Sequence, residues 1–153
     1  MSNYYTETPT TETHLFNQEH RIPVYGGFWE RFAAAIIDGI VMGVINKVIQ
    51  LAIGEIEGAV AGILVNCLYF ALMESSERGA TLGKMALGLR VTDMNGGRIT
   101  FMQGLGRYFG KILSSIILFI GYLMMVWDDR KQTLHDKMAG TLVVKADRFQ
   151  DQL

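Results

Sequence analysis

Apolar residues along this chain gather into three stretches, and the polar segments between them differ in kind. The first stretch, FWERFAAAIIDGIVMGVINKVIQLAI from Phe28 to Ile53, is long enough as a helix to cross a bilayer. At about 1.5 Å rise per residue it exceeds the roughly 30 Å hydrocarbon layer. Arg31, Asp38 and Lys47 interrupt it, so it is more than an anchor. The second stretch, GAVAGILVNCLYFALM from Gly58 to Met73, carries no charge. The short acidic turn Gly54–Glu57 joins the two, which predicts a helical hairpin. The third stretch runs from about Leu105 to Trp127. Its charge-free part, Ile112–Trp127, reaches only about 24 Å if helical, and Gly121 breaks it.

The middle segment, Glu74 to about Lys111, follows a different pattern. LRVTD and RITF flank Met94-Asn95-Gly96-Gly97, which predicts a β-hairpin over about 89–101. The C-terminal run Thr141–Lys145 reads as another short strand. One internal echo joins these parts. TLGKMALGLRV from Thr81 and LHDKMAGTLVV from Leu134 both read as a basic helical turn, a glycine stop and a strand. The pair predicts two similar elements on one side of a membrane.

Lys and Arg set the expected orientation, because they accumulate on the cytoplasmic side. The turn Gly54–Glu57 has none, whereas the middle segment carries Arg78, Lys84, Arg90, Arg98, Arg107 and Lys111. The turn is therefore expected outside, with the N-terminus and middle segment in the cytoplasm. The C-terminus adds Arg130, Lys131, Lys137, Lys145 and Arg148. A third segment that enters, turns near Phe119–Gly121 and returns keeps these charges inside; three straight spans are the alternative. The expected fold class is thus an all-α membrane protein. It has a helical hairpin, a third and re-entrant hydrophobic segment, and a small cytoplasmic β element. Its parts are a tail over 1–25, a membrane domain over 26–147 and a second tail over 148–153.

Composition narrows the function. The chain is 50% hydrophobic and 19% charged, below the about 25% charge of soluble domains. A net charge of −1 supplies no field for nucleic acid. Cys67 is the one cysteine, and His14, His20 and His135 are too scattered for a ligand set, so no metal or cofactor is expected. The first 25 residues read as a disordered tail and lack the pattern of a signal peptide. No hydrolase, kinase or nucleotide motif is present, so an enzyme is not expected.

The candidate chemistry lies in charges that are out of place. Arg31 and Asp38 are seven residues apart, on one helix face about 10 Å apart along the axis. Arg31 can snorkel to the interface. Asp38 lies two turns deeper, where an ionised carboxylate needs a partner or water. Arg107 and Lys111 are the candidate partners. Glu74 marks the end of the second segment and can join the same face. Asn46, Gln50 and Asn66 fit interhelical hydrogen bonding. Small residues recur at Ala35-x3-Gly39-x3-Gly43, Gly58-x3-Gly62 and Gly106-x3-Gly110, which serves packing within the chain or a homo-oligomer.

Four blocks carry a resemblance: GGFWERFAAAIIDGIV, ESSERGATLGKMALGLRVTDMNGGRIT, GRYFGKILSS and DDRKQTLHDKMAGTLVV. In this order, from Tyr25 to Lys145, they resemble the bacterial RDD family, named for one arginine and two aspartates. The resemblance assigns the signature to Arg31, Asp38 and Asp136, with Asp129 a weaker choice for the second aspartate. It implies an inner-membrane protein, usually described with three membrane segments, and a proposed link to transport, including cation–proton exchange. The expected function is a transporter or ion-handling unit for a proton or monovalent cation, using Asp38. The alternative is a non-catalytic membrane adaptor or assembly factor, in which the same residues lock helix packing.

Overall fold

The computed structural model describes residues 23–116 and 120–146. Helices α1 (Phe28–Ile53) and α2 (Glu55–Glu74) form the expected hairpin. Gly54 alone links them at φ +103°, a conformation that favours glycine. The close approach continues along the seam. A Cβ at Gly58 would lie 2.5 Å from the Gln50 Cα, and one at Gly62 would lie 2.9 Å from Asn46 Oδ1. Packing within the chain therefore accounts for that glycine pair, whereas Gly39 and Gly43 face open space. Asn66 donates to Asn46 Oδ1 at 3.2 Å across the seam. Along both helices large apolar side chains stay exposed, among them Ile40, Val48, Leu51, Ile56 and Leu64. Among the described residues, α1 and α2 are the two helices long and apolar enough to cross a membrane.

The rest of the chain builds a head at one end of the hairpin. It comprises α3 (Leu82–Ala86), β1 (Leu89–Asp93), α4 (Phe101–Ile116), α5 (Ile120–Leu123), a 3-10 turn (Met124–Val126), α6 (Leu134–Ala139) and β2 (Thr141–Lys145). β1 and β2 pair antiparallel with Val91 opposite Val143. The chain before α1 lies along the other edge of β2, where Gly26 N donates to Val143 O at 2.9 Å and Lys145 N to Val24 O at 2.9 Å. The folded unit thus begins before residue 26, inside the region expected to be tail. The remainder of that tail, the residues after 147 and the turn at Phe119 lie outside the described residues. Ala34, Leu89, Val91, Ile99 and Val143 form the small apolar core under the sheet.

One expectation is corrected. The β-hairpin over 89–101 does not form, although its turn does. Asp93 Oδ1 accepts from Asn95 N at 2.8 Å and Gly97 N at 2.7 Å, closing the turn on itself. The chain then leaves the strand direction, because Ile99 enters the core and Arg98 bonds the Ser75 carbonyl. The partner of β1 is instead β2, whose apolar residues bury Val91 from the far end of the sequence. The third hydrophobic segment has its expected turn, near Phe119–Gly121, partly outside the described residues. It begins at Phe101 as α4, which is amphipathic, and the chain resumes as the short α5 and 3-10 turn. β2 then pairs with β1, so both ends of this segment belong to the head.

Candidate functional site: a buried ion network where the hairpin meets the head

The two echoing sequences become two units of one design. Each opens on a threonine N-cap, Thr81 or Thr133, and makes a helix of one or two turns. Each ends near a glycine in the left-handed region, Gly88 at φ +63° or Gly140 at φ +61°. Each then feeds a strand, and the two strands pair with one another.

In the second unit Asp136 completes its own cap, accepting from Thr133 Oγ1 at 2.7 Å and Thr133 N at 3.0 Å. Asp136 is also where distant elements meet. Arg31 Nη1 donates to its Oδ2 at 2.6 Å, and Arg107 Nη1 bonds its Oδ1. Arg31 was expected to snorkel; instead its guanidinium turns inward. There it reaches Asp136 and also donates to the Gly26 carbonyl at 3.1 Å. Burial alone would push the Asp136 carboxyl up, but Arg107 and Arg31 reverse this and hold it well below the usual carboxylate range. His135 beside it is pushed down to about 3 by burial, so its ring is neutral near pH 7.

Arg107 links this group to a second one. Its Nε donates to Glu74 Oε2 at 2.6 Å, and its Nη1 also bonds Thr141 Oγ1. Glu74 ends α2, as expected of a boundary residue, and is also a hub. It is fully buried and also accepts from Lys84 at 2.6 Å and Lys111 at 2.9 Å. Lys111 Nζ stands 4.2 Å from the centre of the Phe70 ring. Burial pushes Lys84 down to about 7 despite the pull of Glu74. The network therefore runs Arg31–Asp136–Arg107–Glu74, with Lys84 and Lys111 at its end, and joins α1, α2, α3, α4 and α6.

Asp38 stands apart from it. Neither Arg107 nor Lys111, the expected partners, reaches it. Its carboxylate instead accepts from Thr81 Oγ1 at 2.6 Å, Gly83 N at 2.8 Å and Tyr69 OH at 3.0 Å. Asp38 is 2% exposed. It does for α3 what Asp136 does for α6, but from another helix. Gly83 makes the approach possible, since a Cβ there would lie 2.1 Å from the Ala34 carbonyl oxygen. Asp129, the weaker signature choice, is exposed and outside the network. Its neighbour Asp128 pairs with Lys137.

The sequence reading missed Thr81, Gly83, Tyr69, Lys84 and Thr133. The shared Thr-Leu start and Lys-Met-Ala centre of the two echoes were the available signal for the caps. Among the described residues no group of His, Cys, Asp and Glu could hold a metal ion. The arrangement joins helices through charge-assisted hydrogen bonds, and each buried carboxylate in it is satisfied within the chain.

The sequence model of the RDD family matches residues 25–140, which takes in every residue of the network. The chain belongs to the RDD family. Curated relatives of this RDD protein include uncharacterized protein YxaI of Bacillus subtilis, 37% identical over 77% of this chain and 95% of the relative. Another is uncharacterized membrane protein YteJ of the same organism, 32% identical over 78% of this chain and 80% of the relative. A third, uncharacterized protein YckC, also of Bacillus subtilis, is 30% identical over 83% and 89%. No solved structure matches this RDD chain.

Proposed function

We propose that this RDD protein is a non-catalytic, membrane-anchored scaffold whose hairpin holds a charged head against the cytoplasmic face of the bacterial inner membrane. The observation that carries this reading is the placement of Arg31, Asp38 and Asp136. Arg31 reaches Asp136 across 105 positions of sequence, and Asp38 is enclosed by three donors. All three charges are committed to joining hairpin and head. Such buried pairs fix an arrangement even where they add little net stability. The orientation follows from charge. Between Met42 and Met73, Lys47 is the sole basic residue, while the head is rich in Lys and Arg. Two crossings, with both termini on the cytoplasmic side, agree with the backbone bonds that hold Val24 and β1 to β2. The function of such a scaffold is to present its head to a partner protein at the membrane.

One observation favours a second reading, ion or proton transport. Asp38 has no cationic partner among the described residues, and an ionisable residue at this depth in a membrane-length helix is a functional candidate by default. Two helices enclose no path alone, so this reading requires a homo-oligomer. Liposomes bearing wild type or Asp38→Asn, read with pH- and alkali-cation-sensitive dyes, separate the two. The scaffold reading expects no flux from either protein and a less stable variant. Wild-type flux that vanishes in a folded Asp38→Asn protein would replace it with transport.

A further inference from the structure

Helix α4 is amphipathic in the inverted sense. Its buried positions are Gly104, Arg107, Gly110 and Ser114, while its outward side carries Met102, Phe109, Ile112 and Leu113. Met102 is 71% and Phe109 61% exposed. A helix on a water-exposed head would do the opposite, with its polar face outward. This helix cannot roll over to hide those residues. Arg107 and Lys111 are bonded to Glu74, and Gly110 leaves room for His135, whose Cβ would lie 2.7 Å from an added Cβ.

We infer that acyl chains of the leaflet at the head end of the hairpin cover the outer face of α4, so that the ion network is set at lipid depth. Continuity with the hairpin argues for lipid. α4 lies on the last turns of α2, with Tyr108 and Phe70 rings 6.0 Å apart and Gly104 against the Ala71 backbone. Beside these contacts Leu68 and Leu72 of α2 are exposed, so the outer face of α4 extends an apolar surface that already belongs to a membrane-length helix. The opposite edge of α4 is accompanied by α6, from Gln103 Nε2 on the Ala139 carbonyl at 3.2 Å to Gly110 on His135. It stays with the head and does not leave to cross. Trp29 and Trp127, 76% and 79% exposed, suit the interfacial level where tryptophan collects. The inference needs the hairpin to be in a membrane but neither the scaffold nor the transport reading.

Tryptophan depth tests it. In a Trp29→Phe/Trp127→Phe background, Met102→Trp and Leu113→Trp are placed singly in full-length protein in liposomes. Their emission is read with acrylamide and with lipids brominated at stepped acyl depths. Lipid immersion expects several-fold stronger quenching by bromine than in unlabelled liposomes, both reporters in one half of the bilayer, and weak quenching by acrylamide. Strong acrylamide quenching of both reporters, in protein that floats with liposomes, would overturn the inference and leave the membrane hairpin intact. So would reporters in opposite halves, since a crossing helix separates these positions by about 16 Å. Bromine quenching that emerges only on dilution into excess lipid would assign the face to a second copy. Failure to float would remove the membrane reading itself. Phe109→Trp repeats the measurement at a third exposed position.

Discussion

The two threonine-capped units, α3 with β1 and α6 with β2, differ in where their carboxylate comes from. The second unit carries its own, Asp136, and two arginines from α1 and α4 converge on it. The first has Lys84 at the equivalent helix position and borrows Asp38 from α1, which neutral donors surround. One local design therefore does two jobs. With its own carboxylate and two guanidinium groups it ties distant parts of the chain together. With a borrowed carboxylate it docks a short helix onto the membrane hairpin. Charge is concentrated at the first kind of joint and spared at the second.

The largest expected effect comes from removing the charge at the arginine-backed joint. Asp136→Asn keeps the shape but leaves Arg31 and Arg107 facing a neutral amide while buried. Breaking a buried pair in this way costs about 3–5 kcal/mol. Unfolding of detergent-solubilised protein should shift by that amount, and a loss under about 1 kcal/mol would erase the distinction between the two joints. Asp38→Asn should cost less, about 1.5–3 kcal/mol, the range for hydrogen bonds to a charged group. Gly83→Ala attacks the same joint sterically, since its Cβ would meet the Ala34 carbonyl oxygen at 2.1 Å, and should cost about 1–3 kcal/mol. Both changes undo one docking contact, so the double variant should lose less than their sum. Full additivity would mean that Asp38 and Gly83 do not act on one joint.

The sequence made some of this legible and hid the rest for physical reasons. The hairpin could be read because α1 and α2 are long and apolar and their turn is short. The similarity of the two units was visible in their shared residues, as was the C-terminal strand. What failed were statements about partners. Arg31 looked like a snorkelling residue because nothing local announces a carboxylate 105 positions away. Glu74 ends α2 as expected, but nothing local announces its three cations, which come from α3 and α4. The Asn-Gly-Gly turn was real, but turn chemistry is local whereas strand pairing is not. β1 pairs with β2 instead, and Val91 and Val143 share one buried cluster. The third segment read as apolar because α4 turns its charges inward and its apolar face outward.

A smaller change sharpens the account of the borrowed carboxylate. Tyr69 OH donates to Asp38 and accepts from Leu82 N at 3.0 Å, so it touches both sides of the joint. Tyr69→Phe should cost about 1 kcal/mol, less than Asp38→Asn. The variant should still pair β1 with β2, which amide exchange at Thr92 and Leu142 would report. Lost protection there would mean that this joint supports the sheet as well as the docking of α3.

The smallest effect near neutral pH, and the one with its own signature, belongs to Lys84. Burial lowers its pKa from the ordinary 10.5 to about 7. Between about pH 7 and 10 the unfolded chain therefore holds a proton that the folded chain has released, so stability rises with pH across that window. Asp136 behaves differently at the acid end. With its pKa held below the ordinary 3.8, its contribution is in place above that value and is lost as pH falls further. The two are thus separable by pH alone. Thermal midpoints of wild type and Lys84→Met between pH 6.5 and 10 isolate the lysine. Glu74 keeps Arg107 and Lys111 in the variant, so the head should stay folded, and the rise with pH should flatten. Parallel slopes would mean that Lys84 keeps its proton throughout, with the ion pair to Glu74 outweighing burial.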